Sequence, residues 1–438
     1  MAGQSDGWIT TARVLRRAGF GVTGQQVDAV AAQDWSRYVD VALAADPDAD
    51  PGAVATPMPT LPTLRGPGKG ASVADRKEFN QQIFGQMTEL SQWWLRRMTA
   101  VQQPIHEKLT LLWHNHFATS AEKVRVAAHM AAQNQKLRSL SLGDFHKLAY
   151  AMLTDAAMLR WLDAQTNTAK APNENLAREF MELFTLGHGD GYTEDDVREG
   201  ARALTGWVIR PGGEPTMVPK RHDRTAKTIF GVTRNFDAEG FCGLVLAQPK
   251  SPQHVAGRLW QQLASDTPPS PQALDRLVTA YGPGRNLGAL TRAILTDDEF
   301  IGSRAAIVNT PVEWLVGVIR TLGVPVDTPA RLKLVNTTLR GLGQRHFYPP
   351  DVGGWPHGRV WMSTASADVR MRAASQLARN GDLSTVEDTG AGDRIDAVGY
   401  LIGVGAWSDR TVTALQPLVR TPVQLVAAAV NTPEYLTS

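Results

Sequence analysis

Apolar residues recur along most of the chain at intervals of three and four, the spacing that gathers them on one face of an α-helix. In "HEKLTLLWHNHF" the stripe is Leu109, Leu112 and Trp113, and Pro104 suits the helix start. In "NENLAREFMELFTLGHGDGYTEDDV" the core face is Leu176, Ala177, Phe180, Leu183 and Phe184. Helix ends carry their own signals. "TPVEWLVGVIRTLG" supplies Thr310 as N-cap, Pro311 at the first helical position, Glu313 to complete a capping box, and Gly323 as the stop. "TPVQLVAAAVNTP" repeats that start with Thr421, Pro422 and Gln424 and ends before Pro433. "TEDDVREGARALTGW" pairs Thr193 with Asp196 and sets three acidic residues at the positive end of a helix. No fixed period joins these segments, so a solenoid is not expected.

The breaks are Pro/Gly-rich. Residues 44–72 read as a long irregular connection, 208–233 as a loop holding at most a minor β-hairpin, 345–361 as an aromatic loop, and 378–394 as a flexible surface excursion. The pattern predicts an all-α protein: a large irregular multi-helix bundle with long loops. Its expected parts are an N-terminal helical region over 1–43 packed on the body, a connection over 44–75, and a main helical domain over 76–438.

Composition narrows the function classes. With 43% hydrophobic and 20% charged residues the chain is in the ordinary globular range, which argues against disorder. A net charge of +2 gives no field that favours nucleic acid. The single cysteine, Cys242, excludes an internal disulfide framework and any Cys-rich metal site. No window approaches a membrane span, and the first residues lack the apolar run of a secretory signal, so a cytoplasmic protein is the expectation.

Two polar centres carry candidate chemistry. On an unbroken helix His114 lies about 20° from Glu107 and 40° from Thr110, while His116 falls about 200° from His114, so the two imidazoles point apart. They converge on one ion only if the chain turns or extends at Asn115. In the second centre Asn175, Glu179 and Glu182 share an arc of about 60°, with Arg178 beside them. Carboxylates at i and i+3 repel unless a cation, a shared proton or an arginine intervenes. A divalent metal or an acid/base pair meets that requirement, and so does an Arg178–Glu182 pairing on a solvated face.

Loops add further candidates. "KRHDRTAK" gathers Lys220, Arg221, His222, Arg224 and Lys227, with Asp223 beside His222 for proton transfer. "YPPDVGGWPHGRVW" offers Asp351, Trp355 and Trp361, as a lid or stacking platform, or as a loop pinned by two core tryptophans. "GDGYTEDD" fails as an EF-hand at Tyr192 and Asp195. There is no H-E-x-x-H, no phosphate-cradling loop, no G-x-S-x-G and no nucleotide-cofactor fingerprint.

The segments "LRRAGFG", "WWLRRM", "LLWHNHFATS", "MLRWLDAQTNTAKAPNENLAREFMELFTLG", "YTEDDVREGARALTGW", "HDRTAKTIFG" and "PPDVGGWPHGRVWMSTA" occur in one order over nearly the whole chain. In them the chain resembles a bacterial family known as domain of unknown function 1800. The resemblance implies one mainly helical unit with a variable N-terminal region. It also implies a partner protein similar to the alkaline-phosphatase superfamily, and, for many members, an export leader, from which the first residues here are expected to depart. The matching motif positions are His114, Asn115, His116, Asn173, Glu174, Asn175, Arg178, Glu179, Glu182, His222, Asp223, Lys227, Asp351, Trp355 and Arg370. Position 188 varies in the similar sequences, which demotes His188.

The expectation is a polar cleft floored by 107–116 and 175–182 and roofed by 220–227 and 349–361. In its enzymatic form His114, His116, Glu179 and Glu182 hold zinc, iron or manganese for a hydrolase or oxidase, with His222 or Asp223 moving protons. Asn115, Asn175, Arg178, Lys227, Asp351 and Trp355 then bind the ligand. A metal-free form sets the carboxylates on a glycan over Trp355. The competing class is a scaffold or carbohydrate-binding protein whose polar cluster is a structural network.

Overall fold

The computed structural model describes residues 3–64, 66–68, 70–189, 191–210, 213–302 and 307–437. Residues 65, 69, 211 and 212, inside two of the expected loops, lie outside these. The chain is predominantly helical, with two small antiparallel hairpins. In the first, Trp207 faces Met217 and Ile209 faces Pro215; in the second, Lys227 faces Arg234 and Ile229 faces Val232. The 208–233 stretch thus contributes to two hairpins rather than one. Among the described residues no helix is long and apolar enough to cross a membrane.

Local chemistry sets the helix starts. Thr193 with Asp196 and Thr310 with Glu313 both close reciprocal capping boxes. Thr421 departs from the expected pattern. Its hydroxyl bonds the Gln424 side chain at 3.1 Å and caps no backbone amide, so Pro422 alone preorganises that start. The connection after residue 44 is pinned by Asp50. Its carboxylate caps Pro51–Val54 and also accepts the Gln102 and Gln103 amides at the end of the long helix Val73–Ala100. Within 378–394 the short helix Ser384–Glu387 buries Val386 completely, anchoring the excursion to the body.

Two large apolar clusters fill most of the interior, beside two small ones. One gathers Leu109, Trp113, Phe145, Phe180, Phe184, Leu259 and the N-terminal Val14 and Val39. The other gathers Trp94, Leu111, Trp314, Leu339, Leu377 and Val426. The helix Ile105–His116 runs between them and contributes to both, and every one of its residues is buried. Its polar side therefore faces protein, not water. Each polar group on it needs an internal partner or forfeits about 1–3 kcal/mol of desolvation.

Those partners form two buried networks. Glu107 receives Arg97 Nε and Arg138 Nε at 2.6 Å each, and Trp94 Nε1 at 2.8 Å. Burial alone raises this carboxyl's pKa, but Arg138 and Arg97 outweigh it and hold the group below its usual range. Lys108 is ion-paired with Glu313, the residue that also caps its own helix.

Candidate active site

The helix Ile105–His116 does not break at Asn115, so its two C-terminal imidazoles diverge. His114 lies in an aromatic cage, with ring centres 5.6 Å from Trp94, 5.4 Å from Phe347 and 5.5 Å from Trp355. Burial, and then the neighbouring His346, bring its pKa down to about 3, so it is neutral there. His116 points the other way, against Phe117, Phe145 and Phe184. The four-residue metal set expected from His114, His116, Glu179 and Glu182 is corrected on this ground: His114 belongs to another part of the interior.

The 107–116 and 175–182 segments do meet, through a local irregularity. The helix Asn175–Glu179 widens into a π-helical turn over Phe180–Thr185, in which the Leu186 amide reaches back to the Met181 carbonyl at 2.8 Å. In that turn two consecutive carbonyls accept from imidazoles. His254 Nε2 donates to Leu183 O and His116 Nε2 donates to Phe184 O, each at 2.9 Å. π-turns of this kind often mark functional sites.

This fixes the tautomers. A carbonyl only accepts, so both Nε2 atoms carry the proton. Both pKa values lie below the ordinary histidine range, through burial first; Arg258 adds to the effect at each ring. The rings are therefore neutral, and each Nδ1 keeps a lone pair. Nδ1 of His116 is buried without a hydrogen-bond partner among the described residues. Nδ1 of His254 lies against Gly187, where a Cβ would come to 2.9 Å; with φ +83, that turn requires glycine.

His116, Glu182, His188, Lys250, His254 and Arg258 line an open hollow of about 720 Å³, bordered by Val352 and Gly353 of the aromatic loop. Glu182 sits 2.6 Å from His188 Nδ1, so the residue demoted in the sequence is the one that engages this carboxylate. Tyr192 also bonds Glu182, and burial followed by that charge pushes the phenol up to about 12. Glu179, half-buried, is raised by burial and then by the Glu182 charge. Arg178 turns away from Glu182 to Glu174 at 3.0 Å and Glu194 at 2.7 Å, which corrects the expected i+4 pairing. Among the described residues Arg258 has no carboxylate partner; its guanidinium donates to Gln261 at 3.1 Å.

The ring centres of His116 and His254 are 6.2 Å apart. Two imidazoles on one tetrahedral ion bring their centres to about 5 Å. Among the described residues no group of three or more His, Cys, Asp or Glu side chains is arranged to hold a metal ion. The donor set as it stands does not match the expected zinc, iron or manganese centre.

The remaining expected residues lie elsewhere or serve the scaffold. His222 Nδ1 lies 3.0 Å from Thr205 O, while Asp223 accepts from Arg202 and Thr225, and both flank the helix Glu194–Ala203. His222 lines a different hollow, with Tyr150 and Trp207, so the 220–227 loop does not roof this one. Lys227, wholly buried, is consumed by Asp223 O, Thr225 O and Asn235 Oδ1. Asn175 is exposed, its amide donating to Asn173. Asp351 accepts the Gly353 amide at 2.8 Å, and Asn115 accepts the Trp355 amide at 2.6 Å. Trp355 and Trp361 are buried, so Trp355 offers no stacking face to a sugar. Arg370 donates to Trp361 O. Sequence reasoning missed His254 and Arg258; their one signal was the spacing of four on "HVAGR", one face of the helix Lys250–Leu263.

A mainly helical body with a neutral imidazole pair held on a π-turn is thus the class of molecule in view. Over residues 13–437 the chain matches the family model described as "Protein of unknown function (DUF1800)", and it belongs to that family. No curated protein and no solved structure was found to match it.

Proposed function

We propose that the hollow binds a small organic acid and exchanges a proton with it. The observation that supports this most is the tautomer lock. Leu183 O and Phe184 O fix the Nε2-protonated tautomer of two imidazoles that burial keeps neutral, with Nδ1 as the atom left to accept a proton. Arg258, which lacks a carboxylate partner among the described residues, supplies the charge that seats a carboxylate. Glu182, with His188 and Tyr192 on it, is the second acid/base group of the same hollow. The reading makes the protein an enzyme of acid–base type.

A melting screen of the purified chain against small carboxylic acids tests it. A ligand that raises Tm in the wild type, and fails to do so in Arg258→Gln and His254→Gln, supports the reading. Absence of any such ligand counts against it. Metal analysis distinguishes this reading from the alternative of a metal-dependent hydrolase or oxidase. Stoichiometric zinc, iron or manganese that disappears in Glu182→Gln and His116→Asn would replace proton exchange with metal chemistry. The partner similar to the alkaline-phosphatase superfamily belongs with this proposal, and co-purification of the two chains expressed together tests it.

A further inference from the structure

A second hollow, of about 730 Å³, opens where the helix Ala127–Leu140 begins, and among the described residues its lining includes Lys123, Arg125, His129, Arg160 and Arg210 but no Asp or Glu. Lys123 is paired with Asp163 at 2.7 Å, and Arg125 holds Asn80. Among the described residues Arg160 and Arg210 enter no ion pair, and Nε of Arg160 is buried without a partner. Like charges gathered this way repel one another unless an anion joins them.

His129 is the observation that points to a ligand. It is 5% exposed, yet neither ring nitrogen has a hydrogen-bond partner among the described residues. Its Nε2 lies under Gly213, where a Cβ would come to 3.0 Å. A buried imidazole with both nitrogens unpaired forfeits about 1–3 kcal/mol per group, and a bound acceptor recovers the part that belongs to its N–H. The helix that carries it has no side-chain cap at Val126, so its positive end adds to the field. Arg125 meets the hollow from a left-handed backbone, φ 52, that a non-glycine residue adopts at a cost.

The same lining includes the apolar Phe79, Ile83 and Ile209. We infer that this hollow binds a soluble organic phosphate monoester, its phosphoryl group on Arg160, Arg210 and His129 and its apolar body on Phe79 and Ile83. A phosphoryl group has three oxygens to share among guanidinium, imidazole and helix amides; a carboxylate has two. The site is separate from the His116–His254 hollow and does not depend on its reading.

Calorimetric titration of the full chain with phenyl phosphate, inorganic phosphate and benzoate tests this. Phenyl phosphate should bind at one site, more tightly than either of the others, and more weakly as salt is raised. Arg160→Gln and His129→Gln should each weaken it by about tenfold or more, with melting curves showing that both variants fold. Arg258→Gln, in the other hollow, should leave this binding unchanged. Three results would overturn the inference: no saturable binding, binding that survives in an Arg160→Gln/Arg210→Gln variant, or loss of binding in Arg258→Gln. Capture by vesicles of phosphatidylcholine with phosphatidic acid, without binding of phenyl phosphate, would likewise exclude a soluble ligand.

Discussion

Asn115 Oδ1 accepts the backbone amide of Trp355 at 2.6 Å, tying the end of a buried helix to a loop 240 residues further on. Gly354 is pressed so close that a Cβ there would come to 2.3 Å from the same oxygen, and its φ is +88. Through this contact the loop sets Gly353 on the rim of the His116 hollow. Asn115→Ala should cost about 1–3 kcal/mol, because the buried Trp355 amide loses its acceptor. Gly354→Ala should cost more, since it meets both the overlap and the unfavourable φ. Denaturant unfolding gives both values, and hydrogen exchange at residues 353–355 should accelerate in Asn115→Ala. A Gly354→Ala variant as stable as the wild type would refute the contact.

How far the sequence carried is clearest on this same helix. Apolar periodicity and capping pairs located it, and the 200° offset showed that unbroken geometry separates His114 from His116. What periodicity does not reveal is that Glu107 and Lys108 face inward. Their partners Arg97, Arg138 and Glu313 lie on other helices, and burial between two cores is a tertiary fact. The π-turn has no sequence signature of its own, so Leu183 O and Phe184 O were not legible, and His254 offered only its spacing of four from Arg258. His222 and Lys227 misled for the opposite reason. Polar residues clustered in a loop look like a site, and here they close the loop on Thr205 and Asn235.

His114 should make the protein acid-sensitive. Its folded pKa of about 3 lies below the ordinary 6.5, so between those values the unfolded chain holds a proton that the folded chain does not. Stability from this group is complete above about 6.5 and falls as pH drops towards 3, by about 1.4 kcal/mol per pH unit. His346, also brought to about 3 by burial, adds a second such slope. His114→Phe keeps an aromatic ring in the Trp94–Phe347–Trp355 cage and should reduce the acid slope by one proton. Unfolding free energies measured from pH 4 to 7 check this, and an unchanged slope would mean that His114 is charged in the fold.

Two arginine–carboxylate clusters should respond very differently to loss of one partner. Glu107 is 1% exposed and holds two guanidinium groups and an indole. Glu107→Gln leaves those cations underpaired in the interior and should cost about 3–5 kcal/mol. Arg178 and Glu194 are 31% and 67% exposed, so Arg178→Gln should leave Tm essentially unmoved. Thermal melts of the two variants side by side decide it; equal losses would mean that the Glu107 cluster is hydrated.

The Lys108–Glu313 pair should reveal itself in acid. Burial raises the Glu313 carboxyl's pKa, but Lys108 and then Arg17 outweigh that and bring it to about 2, below the ordinary 4.5. The folded chain therefore binds no proton here between those values while the unfolded chain does. The stabilisation is complete above about 4.5 and is lost as pH falls to 2. Glu313→Gln should cost about 3–5 kcal/mol at neutral pH by stranding a buried ammonium, and should flatten the acid limb below 4.5. Desolvation of two charges offsets much of their attraction, so a Lys108→Met/Glu313→Leu variant should recover most of the loss. Chemical denaturation of the three proteins at pH 7 and pH 4 tests both statements. A double variant no more stable than Glu313→Gln would show that the ion pair, and not the volume it fills, holds the helix Pro311–Thr321 against Ile105–His116.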